Sequence, residues 1–192
     1  HEAATLGTAT LRFYEWNQPT LSLGYFQKYA DRELHSPSVQ ADCVRRQSGG
    51  GAIMHDRELT YSLAMPQTHP LSADVQSLYN TVHECVIAAL RMWLPDGFSP
   101  TRIYPYAENS AVSADKEPFL CFARRSRGDV VIADEGSEIT HKIVGSAQRR
   151  SRGAVLQHGS ILLARSAQAS ELAGITDLCD NRAGTSSLAG DL

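Results

Sequence analysis

The sequence predicts an α+β protein of one domain, built on a largely antiparallel sheet with covering helices. Three observations carry this. Strand-like segments come early, one long helix follows, and more strands close the pattern, an order typical of α+β chains. The late strands are joined by short links, "DEGSE" and "SRG", as in an antiparallel meander. The length is 192 residues, enough for one real core.

The elements follow in order. "TLRFYEW", Thr10 to Trp16, alternates β-formers and reads as a strand. "NQPT" is a turn, and Leu21 to Gln27 is a second apolar segment interrupted by Gly24. "DCVRRQ" reads as a strand that delivers the chain into three glycines. Leu59 to Pro66 is the next strand, ended by its proline. Ala73 to Leu94 is predicted as the principal helix. Val75, Leu78, Tyr79, Val82, Val86, Ala89, Leu90 and Trp93 recur at spacings of three and four, Ser72 is the expected N-cap, and "PDG" the stop. That helix reads as a core element, and its histidine and cysteine are assigned no chemistry. Pro95 to Pro118 lacks periodicity and reads as irregular chain. Asp129 to Ala133, Ile139 to Arg150 and Ala154 to Ala164 read as strands, and "SAQASELAGI" as a short C-terminal helix. The opening "HEAATLGTATLRFYEW" reads as if it begins inside an element.

Composition narrows the function. Hydrophobic content of 42% and charged content of 20% are those of an ordinary globular protein. A net charge of −3 supports neither a nucleic-acid nor a membrane-surface partner. No apolar run approaches the roughly 20 residues of a membrane helix, and no signal peptide is visible. The four cysteines are widely spaced without a CxxC, which argues against zinc and suits a reducing compartment; the expected location is cytoplasmic. No metal site is expected, since "HECVI" lacks the second histidine of a zinc-protease helix.

Three segments could carry chemistry. "RRQSGGGAIMHD" sets Arg45, Arg46 and Ser48 before Gly49, Gly50 and Gly51, with His55 after them. It is not a phosphate loop, because the Gly-Lys-Ser/Thr ending is missing. Glycines do let a ligand lie against bare main chain, and arginines can hold a phosphate or carboxylate by two bonds. From spacing alone, a glycine hairpin beside surface arginines explains the stretch as well. "HKIVGSAQRR" puts Lys142 beside small residues, Gly145, Ser146 and Ala147. A strand lysine usually meets solvent; one aimed into a cleft would stabilise a developing oxyanion. "CFARRSR" places Cys121 before Arg124, Arg125 and Arg127, and "RRSR" adds Arg149, Arg150 and Arg152. Positive neighbours favour a thiolate, and two basic clusters on an acidic chain could present one positive face to an acidic partner.

Taken together and in order, "PTLSLGYFQ", "RRQSGGGAIMHD…LTYS" and "KIVGSAQRR…AVLQHGSILL" closely resemble the lipoate–protein ligase A / octanoyltransferase family, within the biotin- and lipoate-transferase superfamily. The resemblance spans Leu11 to Leu163. It implies a class II biotin/lipoyl synthetase-like catalytic domain, α/β sandwich-like with a mixed sheet, occupying residues 1–192 without a separate accessory domain. It implies a tunnel for a medium-chain acyl group, octanoate or lipoate. The glycines form one wall of it. Arg45, Arg46, Ser48, Gly49, Gly50, Gly51, His55, Gly145, Ser146, Ala147 and His158 match substrate-binding positions. Lys142 matches the lysine at the reacting carbonyl, and Cys121 the nucleophile of cysteine-dependent octanoyltransferases. Two chemistries share this scaffold. A transferase takes octanoate from acyl carrier protein through a Cys121 thioester and needs no cofactor. A ligase uses ATP and Mg to make lipoyl-adenylate. The "CF" segment and the chain length favour the transferase. Either product is an amide on a lysine of a lipoyl-carrier domain, such as the glycine cleavage H protein or a dehydrogenase E2 subunit. A non-catalytic acyl-binding member is the further alternative.

Overall fold

The computed structural model describes residues 2–94, 99, 102–107, 118–133 and 139–180. Nine strands and three α-helices are placed among them: α1 Glu2–Leu6, β1 Thr10–Tyr14, β2 Thr20–Leu23, β3 Asp42–Arg45, β4 Ile53–His55, β5 Glu58–Pro66, α2 Val75–Trp93, β6 Ile103–Pro105, β7 Val130–Ala133, β8 Thr140–Ser151, β9 Ala154–Leu162 and α3 Ile175–Asp180.

Two sheets result. The larger runs β1-β5-β9-β8-β7-β6, antiparallel throughout. The smaller runs β3-β2-β4, with β2 and β3 parallel and β4 antiparallel to β2. The mixed, largely antiparallel expectation holds. The meander holds too, as β7, β8 and β9 are sequential neighbours. Arg152 and Gly153 turn β8 into β9 with φ of 50° and 79°, the two positive values that match the right-handed twist of a two-residue hairpin. The "DEGSE" link lies outside the described residues.

Helix α2 covers one face of the large sheet. Its Ile87 and Leu90 pack with Tyr61, Ile103, Ile132, Ile143 and Val144, and Ile175 and Leu178 of α3 join the same core. The small sheet has its own core of Leu21, Leu23, Ala52, Met54 and Leu120. Three expectations are corrected. The N-cap of α2 is Asp74, whose carboxylate accepts from the Ser77 amide, while Ser72 closes a preceding 3-10 turn. The segment Ser166 to Gly174 is turns rather than helix, pinned by a Ser166–Ala169 bridge, and α3 starts only at Ile175. Within the stretch expected to be irregular, Ile103–Pro105 is an edge strand; Pro is tolerated there because an edge leaves one side unpaired. Strand β4 was also not visible in sequence, since three residues are too few for a period.

The face of the large sheet away from α2 positions the site. Period-2 alternation and the registers lay down rows across three strands. Thr60, Ser160 and Gly145 form one row, and Ser62, His158 and Ala147 the next. The row between them, Tyr61, Gly159 and Ser146, turns to the helix side, where the Ser146 hydroxyl bonds the Tyr61 hydroxyl and His83 Nε2. Buried His83 also bonds the Gly128 carbonyl at 2.6 Å, and is the core histidine the sequence led us to expect.

Candidate functional site

A cavity of about 570 Å³ lies between the small sheet and this face. Its size is within the usual 300–1,000 Å³ of small-molecule sites. Val44, Ile53, Phe122 and bare glycine main chain supply apolar wall, while Ser22, Thr60, Ser160 and His158 supply polar points. Of the expected substrate-site residues, Arg45, Arg46, Gly49, Gly50, His55, Gly145, Ser146, Ala147 and His158 line it, as does Cys121. Ser48 and Gly51 do not, nor does Lys142, the expected catalytic lysine.

The glycine loop is held open by arginines. Arg46 donates to the carbonyls of Ser22 at 2.9 Å, Gly49 at 2.8 Å and Gly51 at 2.6 Å. Arg45 donates to the carbonyls of Gly24, Tyr25 and Gln27. Both were expected to grip an anionic ligand; here Arg45 Nη1 and both Nη atoms of Arg46 bond backbone, while the buried Arg46 Nε has no partner among the described residues. What Arg46 adds to the cavity is positive charge in a desolvated place. Burial pulls its guanidinium below its ordinary pKa, and Cys121 acts in the opposite direction. Gly50 needs its lack of a side chain twice: its φ is 94°, and a Cβ would meet Arg46 Nη2 at 3.1 Å and Cys121 Sγ at 4.0 Å. The thiol therefore lies just beyond the bare backbone of the loop.

Cys121 begins a short 3-10 turn, Cys121–Ala123. Its amide donates to the Ala52 carbonyl at 2.7 Å, and the Ala52 amide to Phe119 at 3.0 Å, so the cysteine is tied to the end of the glycine loop. The following Phe122 is buried and lines the cavity beside it.

Lys142 is 7% exposed and its Nζ sits 2.8 Å from Asp129 Oδ2. A β-bulge places it. The β7–β8 register shifts at Val130/Val131, so Ile143 and Val144 both enter the helix-side core. Lys142 and Gly145 consequently share the cavity side: a Cβ on Gly145 would sit 2.5 Å from Lys142 Cε and 2.9 Å from Nζ. Gly145, which lines the cavity, thus leaves room for the end of Lys142 to pack directly behind its main chain.

The two site histidines differ. His158 Nε2 pairs with Ser48 Oγ at 2.6 Å, which explains how Ser48 serves the site without lining it. Burial, then the charges of Arg46 and His55, push its pKa down to about 4, so it stays neutral at neutral pH. His55 Nδ1 bonds buried Glu58 at 2.8 Å. Thr60 donates to the same carboxylate oxygen, Trp16 Nε1 donates to Thr60 at 3.0 Å, and the Trp16 ring stacks on His55 at 4.3 Å. Glu58, Thr60, Trp16 and Asp129 are site residues that sequence reasoning missed. One signal was present for two of them: in "ELTYSL" Glu58 and Thr60 alternate with Leu59 and Tyr61, marking a second, polar face.

Of the two basic clusters, Arg127, Arg150 and Arg152 are exposed, while the other three arginines contact main chain. Arg124 packs on Gly51, Arg125 bonds the Thr140 carbonyl, and Arg149 bonds the Gln47 carbonyl at 2.6 Å. Among the described residues, no three His, Cys, Asp or Glu side chains group as a metal site, and no helix is long and apolar enough to cross a membrane.

Residues 1–182 match the lipoyl protein ligase A/B catalytic domain. The octanoyltransferase LipM of Kyrpidia tusciae is 40% identical over 158 residues, covering 80% of this chain and 54% of that protein. LipM of Halalkalibacterium halodurans is 39% identical over 160 residues with the same coverage. The chain thus spans about half the length of these relatives. Among solved structures, a T. acidophilum protein described as a lipoate protein ligase, with bound lipoic acid, matches at TM-score 0.61 and 25% identity, over 90% of this chain and 65% of that one. A lipoate-protein ligase A bound with ATP matches at TM-score 0.60 and 22% identity, over the same shares, a likeness of fold alone.

Proposed function

Because the chain belongs to the lipoyl protein ligase A/B catalytic-domain family, we propose that it transfers an octanoyl group from acyl carrier protein to a lysine of a lipoyl-carrier domain, through a thioester on Cys121. The observation that carries this is the placement of the Cys121 thiol on the cavity wall, 4.0 Å from where a Gly50 Cβ would be. The relatives named octanoyltransferases support the octanoyl-transfer part of this reading.

The chemistry balances without ATP. The Cys121 thiolate attacks the carbonyl of the octanoyl thioester, and the carrier's thiolate leaves and takes a proton. The deprotonated lysine amine of the lipoyl-carrier domain then attacks the Cys121 thioester. An amide forms, the amine's proton passes to solvent or a neighbouring base, and Cys121 is released. Exchange of one thioester for another is nearly neutral in free energy; formation of the amide drives the second step. The Lys142 ammonium, across Gly145, stabilises the oxyanion of each tetrahedral species. No cofactor enters, the cavity takes the eight-carbon chain, and the four free cysteines fit a reducing, cytoplasmic setting.

The test is transfer to a purified lipoyl-carrier domain, such as a glycine cleavage H protein. Octanoyl-acyl carrier protein alone should octanoylate its lysine. A requirement for MgATP with free octanoate or lipoate would establish the ligase reaction instead, and binding without turnover the non-catalytic reading.

A further inference from the structure

We infer that Asp129 is a positioning residue for acyl transfer, holding the Lys142 ammonium in place behind Gly145. This rests on the transferase reading above, in which Lys142 meets the reacting carbonyl.

The Asp129 carboxylate is 1% exposed and gripped from three elements. Oδ2 takes Lys142 Nζ at 2.8 Å from β8 and the Ser126 amide at 2.7 Å from the turn before β7. Oδ1 takes the Tyr79 hydroxyl at 2.6 Å from α2. Partners on both oxygens leave the carboxylate no freedom to turn. The lysine it holds is the opposite case, a flexible stem of four rotatable bonds. Asp129 removes that freedom before any substrate arrives. On its other side the ammonium meets the Phe122 ring, 5.3 Å from the centroid, and Phe122 directly follows Cys121. The charge is therefore set between a fixed carboxylate and the nucleophile's own turn.

Stability alone is a weak reason for such a pair. Two buried opposite charges are often no better for folding than well-packed apolar side chains of similar volume. What apolar residues would not supply is a positive charge beside the space above Gly145. The bulge at Ile143 is needed for the same placement, since without it Lys142 and Gly145 would face opposite sides of the sheet. Tyr79 completes the device from the helix layer. Burial and Asp129 hold its hydroxyl far above its ordinary pKa, so it stays a donor to the carboxylate.

A double-mutant cycle on the intact protein tests this, reading the rate of Cys121 acylation by octanoyl-acyl carrier protein. Asp129→Asn should slow acylation by roughly 10- to 100-fold, with half-saturation by the carrier unchanged within about twofold. In a Lys142→Ala background the same change should add nothing, because Asp129 acts through that lysine. Tyr79→Phe, which leaves both charges in place, should give a smaller loss that also vanishes in the Lys142→Ala background. Equal losses with and without Lys142 would overturn the proposal, leaving Asp129 a structural residue. So would an Asp129→Asn protein that does not fold together with a Tyr79→Phe protein acylated at the full rate. Full activity of Lys142→Ala alone would instead remove Lys142 from the reaction, and the proposal with it, while leaving the Cys121 thioester standing.

Discussion

Gly145→Ala adds one methyl group at the point where Lys142 packs behind the cavity wall. The new carbon would sit 2.5 Å from Lys142 Cε, 2.9 Å from Nζ and 3.7 Å from Phe122 Cζ. Ordinary contact between such atoms begins near 3.5 Å, so the end of the lysine must retreat by about 1 Å. The ammonium is tethered to Asp129 at 2.8 Å, and retreat strains that contact. A misplacement of about 1 Å in a catalytic group can cost on the order of 100-fold in rate, or about 2.7 kcal/mol of barrier. Folding should suffer little. Gly145 has no positive φ, so alanine fits the backbone and the unfolded chain loses some entropy, which offsets part of the strain. The assay is single-turnover acylation of Cys121, read by intact mass, beside a thermal melt. A variant that melts within a few degrees of wild type and acylates at the full rate would refute the geometry, and Lys142 would not act across Gly145.

Three further outcomes follow from the same coordinates. Arg46→Lys cannot span the carbonyls of Ser22, Gly49 and Gly51, and each carbonyl left without a partner costs roughly 1–3 kcal/mol, so the melting temperature should fall along with octanoyl transfer; an unchanged melt would mean the loop does not depend on the guanidinium fork. Gly50→Val forces a β-branched residue to a φ of 94° and directs bulk toward Cys121, so acylation should be lost; normal uptake by a folded variant would remove the glycine loop from the acyl site. His83 is pushed down to about 4 by burial, against 6.5 when unfolded. The unfolded state therefore binds the extra proton between those values. Stability should be full above about pH 6.5 and fall by up to roughly 3 kcal/mol toward pH 4, and His83→Gln should flatten that slope in urea titrations. His158 adds a slope of the same sign, so only the difference between the two proteins is diagnostic.

The long elements were legible because their patterns repeat. Helix α2 and strands β5, β8 and β9 run nine residues or more, enough for a period to show. Strands β4 and β6, at three residues each, show none. Ser166 to Gly174 has helical composition, but it is fixed by its bridge and by packing of Ala169 and Ala173, which local propensity does not encode. For the site, the motif order singled out Cys121, Gly49 and Gly50, which line the cavity, and Lys142, which packs beside Gly145. It could not show that Arg45 and Arg46 bond backbone, because they stand at the end of a four-residue strand and just beyond it, too short a run for a period to show. Nor could it pair Asp129 with Lys142, since their meeting depends on a bulge between two strands.

The most direct measurement is peptide mass spectrometry of the protein after brief exposure to octanoyl-acyl carrier protein without ATP, for the wild type and Cys121→Ser. The account predicts one octanoyl group on the Cys121 peptide, none on the peptides of Cys43, Cys85 or Cys179, and none in the variant, which also fails to octanoylate a lipoyl-carrier domain. A wild type with no adduct, or a Cys121→Ser variant that still turns over, would contradict it.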